Sequence, residues 1–192
     1  MRRKFSVVAV ILSVLIFSSM PAFAVDGYFS VGTGMGGSAE EYNLTIEAGA
    51  MGVEIGDRKY LMGGGMPLIP HGYDKIPSDT YDYPAPHGNY TTLGEEYDGT
   101  ELGLFGKTGI ETMYPGFYFS ALLGFTRVTE IQVSESNTTG RHYEQSSEKN
   151  VHWMYGIGAT YFKELLDDDW RFCFQLDLDN RRGLTGSVGF YW

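Results

Sequence analysis

Between Trp170 and Asp179 the chain reads WRFCFQLDLD. Trp170, Phe172, Phe174, Leu176 and Leu178 share one parity; Arg171, Cys173, Gln175, Asp177 and Asp179 share the other. Side chains on a strand alternate between faces, so this segment makes a β-strand with one apolar and one polar wall. The contrast recurs. Val151, Trp153, Tyr155, Ile157, Ala159 and Tyr161 oppose His152, Met154, Gly156, Gly158, Thr160 and Phe162. Phe117, Phe119, Ala121, Leu123 and Phe125 oppose Tyr118, Ser120, Leu122, Gly124 and Thr126. Leu102, Leu104 and Ile110 oppose Glu101, Lys107 and Glu111.

The face opposite the large apolar residues is rich in glycine, small polar residues and charge. A sandwich packs its large residues inward. A transmembrane barrel turns them out into lipid and keeps polar groups in the lumen. The stripes have the ~9–11 residues that a tilted strand needs to cross hydrocarbon, and the 26 glycines suit a narrow, strongly curved wall. A soluble periplasmic sandwich is the competing fold.

Eight strands are expected, at about 27–35, 42–56, 60–69, 100–110, 116–133, 151–162, 169–179 and 184–192. The second changes parity between Ala50 and Val53, so a bulge is expected near Gly52. The connections alternate in length. Residues 57–59, 111–115 and 163–168 are short, whereas 70–99 and 134–150 are long. Long outer loops with short periplasmic turns are the rule for such barrels, and an even strand count returns the C-terminus to the side of the N-terminus.

The start of the chain fits a secretory leader. Arg2, Arg3 and Lys4 precede an apolar run from Phe5 to Phe17, and Ala22-Phe23-Ala24 forms a cleavage site. The expected organisation is a signal peptide over 1–24 and a barrel domain over 25–192. Cleavage removes those three cations and takes the formal charge from −10 to −13. Such acidity argues against nucleic acid as a partner. One cysteine, Cys173, excludes an intramolecular disulfide, and with four scattered histidines it argues against structural zinc.

The chain ends in LTGSVGFYW, Leu184 to Trp192. With the leader and the alternating strands, this ending resembles the small OmpA/OmpX-type eight-stranded outer-membrane barrels. The resemblance spans Val25–Trp192 as a pattern. It implies that Leu184, Val188, Phe190 and Trp192 form a C-terminal signal read by the barrel-assembly machinery, with tryptophan in place of the usual phenylalanine. It also implies a Gram-negative outer-membrane location with both termini periplasmic, contact with outer-membrane lipid and lipopolysaccharide, and no cofactor. A monomer is expected.

Three groups of residues are candidate sites. The lumen face carries Glu47, Glu101, Lys107, Arg171, Gln175 and Asp177, with Glu111, His152 and Asp179. Charges withdrawn from water must pair, so the set reads as a polar plug, or as an ion path. Lys107 and Arg171 are the expected cationic centres, with Glu47 or Glu101 as partners. The stretch 70–99 carries Tyr73, Tyr81, Tyr83, Tyr90 and Tyr97 among six acids and four prolines. Tyrosine gives contact area at low entropy cost, so an extracellular ligand is expected there. Its D-x-x-D spacing is not that of an EF-hand. His152 with Ser134 or Ser136 is the pair that general-base chemistry at the rim would use. GTGMGG, Gly32–Gly37, matches a dinucleotide fingerprint but lacks the following helix. Three N-x-[ST] triplets, at Asn43, Asn89 and Asn137, are read as chance matches. The expected function is structural or adhesion-like, through 70–99 and 134–150. A narrow solute channel and a lipid A-modifying enzyme are the alternatives.

Overall fold

The computed structural model describes residues 26–37, 39–71, 77, 79–81, 88–165 and 170–192. The expected leader, 1–24, lies outside them. The described residues form eight antiparallel strands: β1 (Asp26–Gly36), β2 (Ala39–Ile55), β3 (Arg58–Pro70), β4 (Tyr90–Glu111), β5 (Phe117–Ser136), β6 (His142–Leu165), β7 (Trp170–Asp179) and β8 (Gly183–Tyr191). Each pairs with the next, and β8 returns to β1, closing the barrel. At the seam Phe29 faces Phe190 and Val31 faces Val188. Gly27 N donates to Trp192 O at 3.1 Å and Trp192 N donates back at 3.0 Å. The last residue therefore takes part in closure.

The wall is inverted relative to a soluble protein. Phe119, Leu123, Phe125, Trp153, Tyr155, Ile157, Leu176, Leu178, Val188 and Phe190 are exposed, whereas Glu47, Glu101, Lys107, Asp177 and Arg182 are buried. Towards the end that holds the termini, the outer wall carries aromatic pairs: Phe117 with Phe119 and Tyr161, and Phe172 with Phe174 and Phe190.

Glycines make room for the inward rings. A Cβ on Gly63 would strike the Tyr28 hydroxyl, and one on Gly65 would come within 2.6 Å of the Phe105 ring. The expected bulge in β2 is present. The register shifts between Ala50 and Val53, and Gly52 takes a φ of 72°.

Two expected loops are shorter than the sequence suggests. β4 begins at Tyr90, so 90–99 is strand and not loop. β5 reaches Ser136 and β6 starts at His142, so most of 134–150 is strand too. Beyond the apolar belt the outward apolar alternation stops. The ladder continues from Asp98↔Thr129 to Tyr90↔Ser136 regardless, with Thr91, Thr92, Thr129, Ile131 and Val133 supplying β-propensity. β4, β5 and β6 thus rise as a three-stranded sheet beyond the rest of the rim.

Gly63→Ala is expected to lower stability by about 1–3 kcal/mol through the clash with Tyr28, read as a lower urea midpoint. Gly52→Ala, where a Cβ meets nothing within 4 Å but φ is positive, is expected to cost only about 1 kcal/mol.

Candidate functional site

The lumen is built in tiers. In the tier nearest the loop end, Glu101 is fully buried and grips Arg181, whose Nε and Nη2 donate to its two oxygens at 2.7 Å each. His71 Nε2 lies 2.8 Å from Glu101 Oε2. The Arg181 guanidinium stands 5.4 Å over the Tyr97 ring, which lies between His71 and His152 at 4.8 and 6.0 Å. His152 meets Glu130 at 2.7 Å.

Below it, Arg182 is fully buried. Its Nε donates to Asp179 Oδ2 at 2.6 Å, Nη2 to Asp177 Oδ2 at 3.3 Å and Nη1 to Thr45 Oγ1 at 3.2 Å. Asp179 Oδ1 accepts from the backbone N–H of both Arg181 and Arg182, at 2.9 and 2.7 Å. That carboxylate ties the β7–β8 turn so that its two arginines fold back into the barrel. The next tier centres on Lys107, 3.1 Å from Glu47 and 2.8 Å from Asp177, with Nζ also donating to Gln175 at 3.4 Å. The Tyr28 hydroxyl donates to Glu47 at 2.7 Å. Nearest the termini the lumen is filled by Tyr28, Leu61, Tyr118, Phe162, Cys173 and Tyr191, with Phe162 edge-to-face against three of the rings.

Of the residues singled out from sequence, the structure brings together Glu47, Lys107, Gln175 and Asp177. Glu101 belongs to a separate tier. Arg171 is not a cationic centre of the lumen. It sits part-exposed near the termini, 3.5 Å from Glu164 and 5.7 Å over the Tyr191 ring. Its place at the mouth of the barrel lets it reach water, which a mid-lumen position would not. The lumen cations that alternation does not reveal are Arg181 and Arg182. They sit in a turn, where parity says nothing about direction. The preceding Asp179, an acid placed to tie a turn, was the available signal.

The rim pair fails on register. His152 faces Thr126 and Ser134 faces Tyr143, so they stand roughly 26 Å apart along the sheet, beyond hydrogen-bond reach. Among the described residues no group of three or more His, Cys, Asp or Glu is placed to hold a metal. Cys173 is free and buried.

Tyr73 and Tyr83 lie outside the described residues. Tyr90 and Tyr97 lie on β4, and Tyr97 turns inward to Arg181. Tyr81 forms a parallel bridge with Tyr143; their rings stack at 5.3 Å, Tyr90 meets Tyr143 edge-on at 5.9 Å, and Arg141 lies 5.8 Å over Tyr81. Asp79 pairs with His142 at 2.8 Å, and that hydrogen bond holds its carboxyl below the usual carboxylate range. Leu184, Val188, Phe190 and Trp192 all point outward and are exposed.

No family model matches the chain, and no curated protein matches it. Among solved structures it is similar to Ail, the attachment invasion locus protein of Yersinia pestis, solved with the heparin analogue sucrose octasulfate. The identity is 7%, the match covers 88% of this chain and 96% of that one, and the TM-score is 0.40.

Lys107→Met is expected to destabilise the barrel by about 3–5 kcal/mol, because Glu47 and Asp177 lose their shared cation. Adding Glu47→Gln and Asp177→Asn should recover much of the loss in urea titrations. For Asp79 the folded pKa is depressed, so its contribution is complete above the ordinary carboxylate value of ~3.9. It is lost as pH falls through the lower folded value. Exchange of the Tyr81 amide, which donates to His142 O at 3.1 Å, should accelerate over that window, and Asp79→Asn should abolish the pH step.

Proposed function

We propose that the chain is an outer-membrane barrel with a closed lumen, and that its work is done at the surface by the β4–β6 sheet and the loop that follows β3. The observation that carries this is the pairing of an outward apolar wall with a self-satisfied ionic interior. Such a wall is stable in lipid and unstable in water. No helix among the described residues is long and apolar enough to cross a membrane, so the crossing falls to the strands. The proposed orientation puts the termini, the turns at 56–57 and 112–116, and the adjoining ends of β6 and β7 in the periplasm. Leu184, Val188, Phe190 and Trp192 then serve as the assembly signal, and residues 1–24 as the leader.

The channel alternative has little support in the geometry. Three cations, Lys107, Arg181 and Arg182, meet four carboxylates across the lumen, and an aromatic layer follows. An ion entering would have to break pairs whose partners are out of water. The surface reading is adhesion-like: an acidic sheet, with part-exposed Tyr81 and Tyr90 packed on the buried Tyr143, and a monomer as the unit.

The test replaces residues 72–88 by a short Gly-Ser turn, leaving His71, Glu101 and β4 in place. Heat-modifiable migration in gels should be retained, and bacteria expressing the variant should lose binding to matrix-coated surfaces. Wild-type binding no greater than that of cells lacking the protein would sink the adhesion reading. In planar bilayers the wild type is expected to be silent, and steady conductance would restore the channel.

A further inference from the structure

We propose that Arg127 and Lys149 form a lipid-phosphate contact on the outer wall, holding the phosphorylated headgroup of an anionic lipid in the leaflet on the loop side. This rests on the membrane reading above. On β5 the outward residues run Phe117, Phe119, Ala121, Leu123, Phe125 and then Arg127. On β6 they run Tyr161, Ala159, Ile157, Tyr155, Trp153, Val151 and then Lys149. The β6 series turns cationic one residue pair beyond the β5 series, where Arg127 still faces Val151. Arg127 pairs with Leu102 on one side and Val151 on the other, and Lys149 pairs with Thr129. The two cations are therefore diagonal neighbours on one face, with Cβ atoms about 7–8 Å apart, close enough for two long side chains to meet one phosphate.

Both are exposed, and neither forms an ion pair with a described residue. The other described cations lie elsewhere. Lys107, Arg181 and Arg182 fill the lumen. Arg58, Lys59, Lys163 and Arg171 sit at the end of the termini. Arg141 is at the tip of the β5–β6 turn. The upper border of the apolar belt thus carries its described cations at this one place, on a chain whose formal charge is −10. Asp98, across from Thr129 on β4, is the acid that the register brings to the same level and face, so one positive charge remains in surplus. Just below, Trp153 is 70% exposed, and tryptophan favours the headgroup boundary. The guanidinium fork suits phosphate oxygens and the lysine adds a point charge.

The test uses the full barrel inserted into phosphatidylcholine vesicles containing either phosphatidylglycerol or diphosphorylated lipid A. After detergent extraction, the lipids retained on the protein are counted by mass spectrometry. Wild type should retain the anionic lipid in excess of its share. Arg127→Gln with Lys149→Gln should lose that excess by about fivefold for each charge removed, while Arg127→Lys with Lys149→Arg keeps it. Equal retention by wild type and the glutamine variant, with both heat-modifiable, overturns the contact. Millimolar inorganic phosphate should not displace the lipid; if it does so fully, the place is a general anion site and the lipid assignment falls. A wild type that stays out of the vesicles overturns the membrane reading and this contact with it, whereas insertion without enrichment overturns the contact alone.

Discussion

Everything in this molecule depends on the hydrogen bonds between β1 and β8. A strand in hydrocarbon has no water to satisfy its edge, so an open sheet cannot cross and a closed one can. Closure here runs from Tyr28↔Tyr191 to Met35↔Leu184, and the Gly27–Trp192 pair locks the bottom of the seam. Gly27 is also constrained by its partner: a Cβ there would approach the Trp192 ring to 2.9 Å. The terminal tryptophan, its outward exposure and a glycine opposite it are parts of one device.

Closure creates the second constraint. Eight strands leave an interior that side chains must fill. An apolar filling would be easier to satisfy, but both faces of each strand would then be alike, and a one-residue slip would carry little penalty. With Glu47, Lys107 and Asp177 on one parity and phenylalanine and leucine on the other, a slip would put charge on the outward apolar wall, and register is strongly specified. The cost is that every inward charge needs partners. The tiers meet it by sharing: Asp177 serves both Lys107 and Arg182, and Glu47 serves Lys107, Gln175 and Tyr28.

This division explains what could be read from sequence. Where one face is the outward apolar wall and the other lines the lumen, alternation is enforced, and the strand cores, the parity slip at Gly52 and the inward set of Glu47, Lys107, Gln175 and Asp177 are legible in the bare chain. Legibility ends with the belt. Tyr90–Gly99 and His142–Asn150 are strands held by ladder bonds without the apolar alternation of the belt, so they read as loop. Arg181 and Arg182 sit in a turn and Arg171 at a mouth, and in both places direction is set by local geometry that parity does not encode. The distance between His152 and Ser134 was hidden for a related reason: the length of the β5–β6 ladder decides it.

The same extension beyond the belt leaves an exposed edge that the chain has to manage. β7 stops opposite Gly156, while β6 continues back to His142. At the step, the Asn180 side chain substitutes for the missing strand, donating to Trp153 O at 3.0 Å and accepting from Tyr155 N at 2.8 Å. At the far end the segment around Tyr81 lies alongside, donating to His142 O and accepting from Glu144 N. Between them the edge carries Glu148 and Lys149, charges of the kind that discourage edge-to-edge pairing. The loop after β3 is therefore tied at both ends of its described course, by His71 to Glu101 and by Asp79 and Tyr81 to β6. Its anchoring follows from the need to cover an edge, and whatever surface it presents is carried on that anchor.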